Sequence, residues 1–282
     1  MIKSILYSLL TISLLVCFSV KSMNVQDLNK KLIDTVTDNN LTELQKIQIL
    51  SKLLKQGADI NSRFYSREGV RRAANVKTGT VLIEASRKGL KHVVGFLLGQ
   101  PGININAQND DGHTALIRTA LAENKPEFLE IAKNLLEHNA NIYIKSYKGR
   151  TILHYAANSN KIDFIELILK EANQKSSKKF YTFINERDEI AEHNALDAAV
   201  IHCMDNTCDY KVCKKLVEEG ADVSNSISIL ESFAQYYDYP VIEKILTLLT
   251  TFKQEVRKQV VAAEILGQNN IPGLLDIVMS YY

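Results

Sequence analysis

The 282-residue chain has no tryptophan, four prolines, twelve glycines, four cysteines and almost no imbalance of charge. So little Pro and Gly, with 46% hydrophobic residues, excludes a loop-rich or collagen-like polymer and points to a folded, mostly helical protein. With 34 basic and 32 acidic residues, the chain lacks the strong basic field of a general nucleic-acid binder, so no nucleic acid is expected as a partner. Beyond the N-terminal segment no run is long and apolar enough to span a bilayer. Gly-rich phosphate loops, nucleophile elbows and zinc-protease His pairs are absent, and the six histidines are scattered. No enzyme and no cofactor is expected, unless an activity without a motif is assembled in the C-terminal third.

What is present begins with "MIKSILYSLLTISLLVCFSVKSMN". Lys3, an apolar run from Ile5 to Val20 and a Val-Lys-Ser exit read as a signal peptide over residues 1–22, cut after Ser22. The protein is then exported, secreted or periplasmic. The alternative is an uncleaved anchor over residues 5–20, which would hold a structural protein at a membrane. Val16 before Cys17 disfavours lipid attachment, because a lipoprotein signal carries a small residue there. Losing Lys3 and Lys21 with the signal leaves 32 bases against 32 acids.

The remaining chain repeats. "GTVLIEASRKGLKHVVGFLLGQPGININAQ", "GHTALIRTALAENKPEFLEIAKNLLEHNANIYIK", "GRTILHYAANSNKIDFIELILKE" and the weaker "HNALDAAVIHCMDNTCDYKVCKKLVEEGADVSNS" align on Thr80, Thr114, Thr151 and Asn194, at spacings of 34, 37 and 43. Helix exits keep step at Gly57, Gly102, Asn139 and Gly220. Thr at a helix start can cap it, and Gly beyond the second helix can take the left-handed conformation that ends it. Ile162, Phe164, Ile165, Ile168 and Leu169 mark one apolar face of the second helix in the third unit. A single unit cannot bury that face, so units must stack, with Leu153 between layers.

These residues resemble the ankyrin repeat, a β-turn followed by two antiparallel helices. Thr151, Leu153, His154, Ala156 and Ala157 match its pattern, as do Gly112, Thr114, Leu116 and Ala120, and Gly57, Ala58, Asp59 and Asn61 match its exit. The Pro that follows Thr in the family is replaced by Val81, Ala115, Ile152 and Ala195. The resemblance implies an all-α solenoid joined by β-turn fingers, binding a protein partner through turn tips and a concave face. It also implies that His154 makes structural bonds to loop backbone. Residues 23–62 would be an N-terminal cap or divergent repeat, 63–79 a basic extended finger, 80–224 four repeats, and 225–282 degenerate repeats with a C-terminal cap. The polar insert "NQKSSKK" reads as a lengthened connection, and the C-terminal part as four further helices. With a signal peptide, and with its heavy use of Lys, Asn and Ile, the chain is similar to exported ankyrin proteins of host-associated bacteria, which implies possible delivery to a host cell.

Three groups of side chains stand out. In the repeat register Asp110, Asp111 and His113 fall on one turn tip and Tyr147, Lys148 and Arg150 on the next, forming a candidate partner-binding strip. The finger carries Arg63, Arg67, Arg71, Arg72 and Lys77 beside Phe64 and Tyr65, a mobile solvated segment or an anionic-partner site. Cys203, Cys208 and Cys213 are spaced five apart beside His202. That spacing is not a familiar zinc pattern; a local bridge from Cys203 to Cys208 or Cys213 and free thiols in the core both remain open.

Overall fold

The computed structural model describes residues 24–63, 79–174, 177–204, 210–235 and 240–265. The expected signal segment, Cys208, the finger beyond Arg63 and the last expected helix, 271–282, lie outside these. Among the described residues the chain forms thirteen α-helices and no strands. Twelve pair as α1 (Val25–Thr37) with α2 (Glu43–Lys55), α3 (Val81–Arg87) with α4 (Lys91–Leu98), α5 (Ala115–Leu121) with α6 (Pro126–Glu137), α7 (Ile152–Asn158) with α8 (Ile162–Asn173), α10 (Ala195–Cys203) with α11 (Lys211–Glu218), and α12 (Ser224–Ala234) with α13 (Pro240–Ile265). The first helices of the pairs touch in series, and so do the second helices, giving two parallel rows.

The two rows differ because their sequences differ. In the inner row α3, α5 and α7 have seven residues each, and Ile152 to Ala157 of α7 are all buried, as an apolar helix closed in on every side must be. Leu82, Leu116, Leu153 and Leu196 hold one register position and are at most 2% exposed, forming a leucine row through successive layers. Outer helices are amphipathic: α8 buries Phe164, Ile165, Ile168 and Leu169 and exposes Glu166 and Lys170. Hydroxyls or amides cap the inner helices, Thr114 accepting from Ile117 N at 3.2 Å and Asn194 from Asp197 N at 2.9 Å. Lysines satisfy their far ends. Lys46 Nζ donates to the Val36 carbonyl at 2.8 Å, and Lys161 Nζ to those of Thr119 and Ala122 at 3.3 and 2.5 Å. Burial pushes the Lys161 ammonium down to about 8.

Gly57, Asn139 and Gly220 take positive φ after their outer helices. The following amide closes each end, as Ala140 N to Leu135 O does at 2.9 Å. Gly102 is different. Helix α4 stops at Leu98, its cap Gly99 has φ −77°, and Gly102 turns the chain only after Pro101. Two other expectations are corrected. The insert contributes a helix, α9 (Ser177–Ile184), because Phe180, Phe183 and Ile184 share a face that buries against the core and against α8. The two expected helices after Pro240 are one, α13, since nothing between Phe252 and Glu255 breaks a helix.

Candidate interaction surface

Each turn is built around one buried polar residue that opens it: Asn109, Ser146 or Asp188. Asn109 N donates to His113 O at 3.0 Å, while Asn109 Oδ1 accepts from Asp111 N and His113 N at 3.0 and 2.8 Å. Ser146 N bonds Arg150 O at 2.9 Å, and Asp188 N bonds His193 O at 2.9 Å. Successive turns are then joined by backbone. Tyr147 N donates to Asp111 O, and Glu189 N to Lys148 O, each at 3.1 Å. That approach leaves no room for a side chain: a Cβ on Gly112 would lie 2.4 Å from Tyr147 N, and one on Gly149 2.8 Å from Glu189 N. Both glycines also have φ near +75°. In the third turn Glu192 occupies the equivalent place with φ 55°.

Of the six strip residues, Asp110, Tyr147 and Lys148 are exposed, Tyr147 to 64%. Asp110 pairs with Arg63 at 2.5 Å. Asp111 is half-buried, with its carbonyl holding Tyr147 N. The structure gives two members of the strip partners within the fold. His113 is 7% exposed, because Tyr155 on the next inner helix draws it inward. Its Nε2–H donates to Tyr155 Oη at 3.0 Å, and that hydroxyl donates to Ser146 Oγ at 2.9 Å, with the two rings edge-to-face. Burial raises the Tyr155 pKa. Arg150 turns its Nε to Asp188 Oδ2 at 2.9 Å, and the Asp188 side chain is fully buried. Desolvation opposes ionisation of Asp188, but donors from Ala191, Arg150 and His193 outweigh it and hold its carboxyl below the usual range. Arg150 therefore welds two turns together.

His154 has the structural place that the resemblance implies. Nε2–H donates to the His193 carbonyl at 2.9 Å, so Nδ1 accepts from Thr151 N at 3.2 Å and from its hydroxyl at 2.9 Å. Burial lowers its pKa, keeping it neutral. Asp197 stands at the same register in the next layer and acts alike. It accepts from Asn194 N at 3.1 Å and reaches the following layer through Asn225 Nδ2 at 2.8 Å and Ser226 Oγ.

A second seam lies at the helix exits. Asn61 Oδ1 accepts from Asn104 N at 2.7 Å, Asn106 Oδ1 from Asn141 N at 2.8 Å, and Asn185 Oδ1 from Asp222 N at 2.6 Å. Between them Tyr143 replaces asparagine, and its ring meets Phe183 of α9 edge-to-face at 5.1 Å. Sequence reasoning missed this ladder, Asp188, Tyr155 and Asp197. The signal available was register: Asn106, Tyr143 and Asn185 each precede a turn-opening residue by three.

Cys203 is disulfide-bonded, whereas Cys213 is a free, buried thiol with its sulfur 4.0 Å from that of Cys203. Of the two bridges considered, the one to Cys213 is therefore not formed. Burial pushes the Cys213 thiol up to about 12, which makes it inert. Among the described residues no three His, Cys, Asp or Glu side chains gather to hold a metal, and no helix is long and apolar enough to cross a membrane.

The family model described as ankyrin repeats (3 copies) matches residues 82–180 and 127–227, together just over half of the chain. Comparison with curated proteins finds no match.

Proposed function

We propose, since the chain belongs to the ankyrin-repeat family, that it is an exported scaffold which binds a protein partner through its turn tips and concave face. Ankyrin repeats are protein-binding modules, typically without enzymatic activity, and no catalytic domain is matched. One observation supports the turn tips in particular. The fold uses only the backbone amide of Tyr147, yet the position carries an aromatic ring exposed to 64% at the edge of stacked turns. Exposed aromatics on a rigid support are the residues most often found at energetic hot spots. Export rests on the apolar run Ile5–Val20 and its Ser22 exit, and action on a host cell rests on resemblance alone.

Affinity capture from the compartment where the protein acts, followed by identification of bound proteins, supplies the partner. Tyr147→Ala with Lys148→Ala should then weaken binding by about 2 kcal/mol, roughly thirtyfold, and leave the melting temperature unchanged. Glu166→Ala with Lys170→Ala, on the outer face of α8, should leave binding intact. Equal loss from both pairs, or from neither, places the partner elsewhere. N-terminal sequencing of the exported chain tests cleavage after Ser22; a chain still starting at Met1 supports the anchor instead.

A further inference from the structure

The inner helices carry Glu84, Arg118, Tyr155 and Ala198 at one register position, four residues after each cap. Two of these side chains are fully engaged. Both Glu84 oxygens bind Arg87, at 2.8 and 2.5 Å, and Tyr155 is held by His113 and Ser146. Arg118 is different. It is half-buried, and among the described residues no carboxylate lies within ion-pair distance of it and no acceptor takes one of its N–H groups. Glu84 and Asp111 attract it only from beyond contact, while Arg87 repels it. Burial and that repulsion both lower its pKa, yet an arginine remains protonated. A half-buried guanidinium with five donors and no protein acceptor among the described residues has its hydrogen-bonding directions open to a ligand.

A cleft of about 560 Å³ lies alongside, lined by Arg87, Lys88, Arg118 and Lys125 together with Leu121 and Phe128. Lys88 Nζ donates to the Thr37 carbonyl and Asn39 Oδ1, both uncharged, so its charge is not neutralised there. Lys125 pairs with Glu123. Four cations thus outnumber the three carboxylates near them, Glu84, Asp111 and Glu123. In a chain whose overall charge is close to balanced, this local excess is positive, and apolar side chains share the lining, Leu121 being 36% exposed.

We propose that this cleft receives an acidic segment of a protein partner, an Asp or Glu carboxylate seated on the Arg118 fork with an apolar neighbour against Leu121. The planar guanidinium suits a carboxylate bidentately, and Lys88 and Arg87 steer the approach. The inference deepens the scaffold reading and rests on it, by naming the chemistry of the partner at one cleft between neighbouring layers.

The test uses the full chain and a short labelled peptide of alternating glutamate and leucine, followed by fluorescence anisotropy. Binding is expected, falling about tenfold in Arg118→Gln, recovering in part in Arg118→Lys, and weakening with added salt. Glu166→Ala with Lys170→Ala, on the exposed face of α8, should leave it unchanged, and thermal melts should show Arg118→Gln folded. Equal binding by wild type and Arg118→Gln, no binding to wild type, or equal binding of a glutamine–leucine peptide overturns the proposal. So does inorganic phosphate binding where the acidic peptide does not. None of these outcomes bears on the turn tips, whose test is the Tyr147 and Lys148 pair.

Discussion

The boundary between the layers of α5/α6 and α7/α8 differs in construction from the layers on either side of it. Where Asn61 and Asn106 stand, each layer is fastened to the next at the helix exits by a side-chain amide bonded to backbone. At Tyr143 that fastening is absent, an aromatic contact with Phe183 replaces it, and the extra helix α9 enters the stack. The turn seam runs on regardless, because Glu189 N still reaches Lys148 O. The layers are therefore held by two seams of different tolerance. The turn seam is backbone against backbone and leaves no space for variation, whereas the exit seam hangs on one side chain per layer and yields to an insertion.

Breaking the turn seam should have the largest effect. Gly112→Ala forces a Cβ into the neighbouring turn's backbone as well as straining φ, and should cost about 3 kcal/mol or more. Gly57→Ala, with positive φ but nothing within 4 Å, should cost about 1–2 kcal/mol. Urea unfolding compares the two, and equal costs would refute the interlock.

Acid should act next, through His154, whose ring spans from Thr151 to the His193 carbonyl. Its folded pKa lies below the ordinary 6.5, so between those two values the unfolded chain binds more protons. Stability is thus complete above about pH 6.5 and falls as the pH drops towards the folded value, each pH unit between the two being worth about 1.4 kcal/mol. Melting curves between about pH 8 and pH 5 should show a steeper decline for wild type than for His154→Gln. Parallel curves would mean that the ring is not held neutral.

The exit seam offers a gain. The Tyr143 hydroxyl is buried without a hydrogen-bond partner, so Tyr143→Phe should keep the contact with Phe183 and raise stability by about 1 kcal/mol. A loss of stability in calorimetry would show that the hydroxyl has a partner in solution. The smallest effect is expected in the third turn. Glu192→Gly relieves a left-handed side chain but adds freedom to the unfolded chain, for a net gain of about 0.5–1 kcal/mol. No gain would argue that this turn already relaxes its strain.

The inner helices could be read from the sequence because their signals are local. Thr114 and Thr151 mark the starts, Leu116 and Leu153 the buried row, and Gly57 and Gly220 the ends, each acting within a few residues of itself. The turn glycines were legible for the same reason, although their stricter requirement comes from the next turn's backbone. For the six candidate strip residues the sequence foretold position but not side-chain partners. Asp110, Tyr147 and Lys148 are at the surface, but His113 and Arg150 were claimed by Tyr155 and Asp188, which lie 42 and 38 residues further along the chain. Insert length was visible too, while its folding into α9 depended on a core for Phe183 and Ile184 to enter. What the sequence determined by itself was the repeating unit, since capping, helix periodicity and chain reversal are short-range physics. Only the tertiary structure decided which polar side chains join layers and which, like Arg118, are left facing a cleft, because that assignment depends on neighbours brought close by stacking.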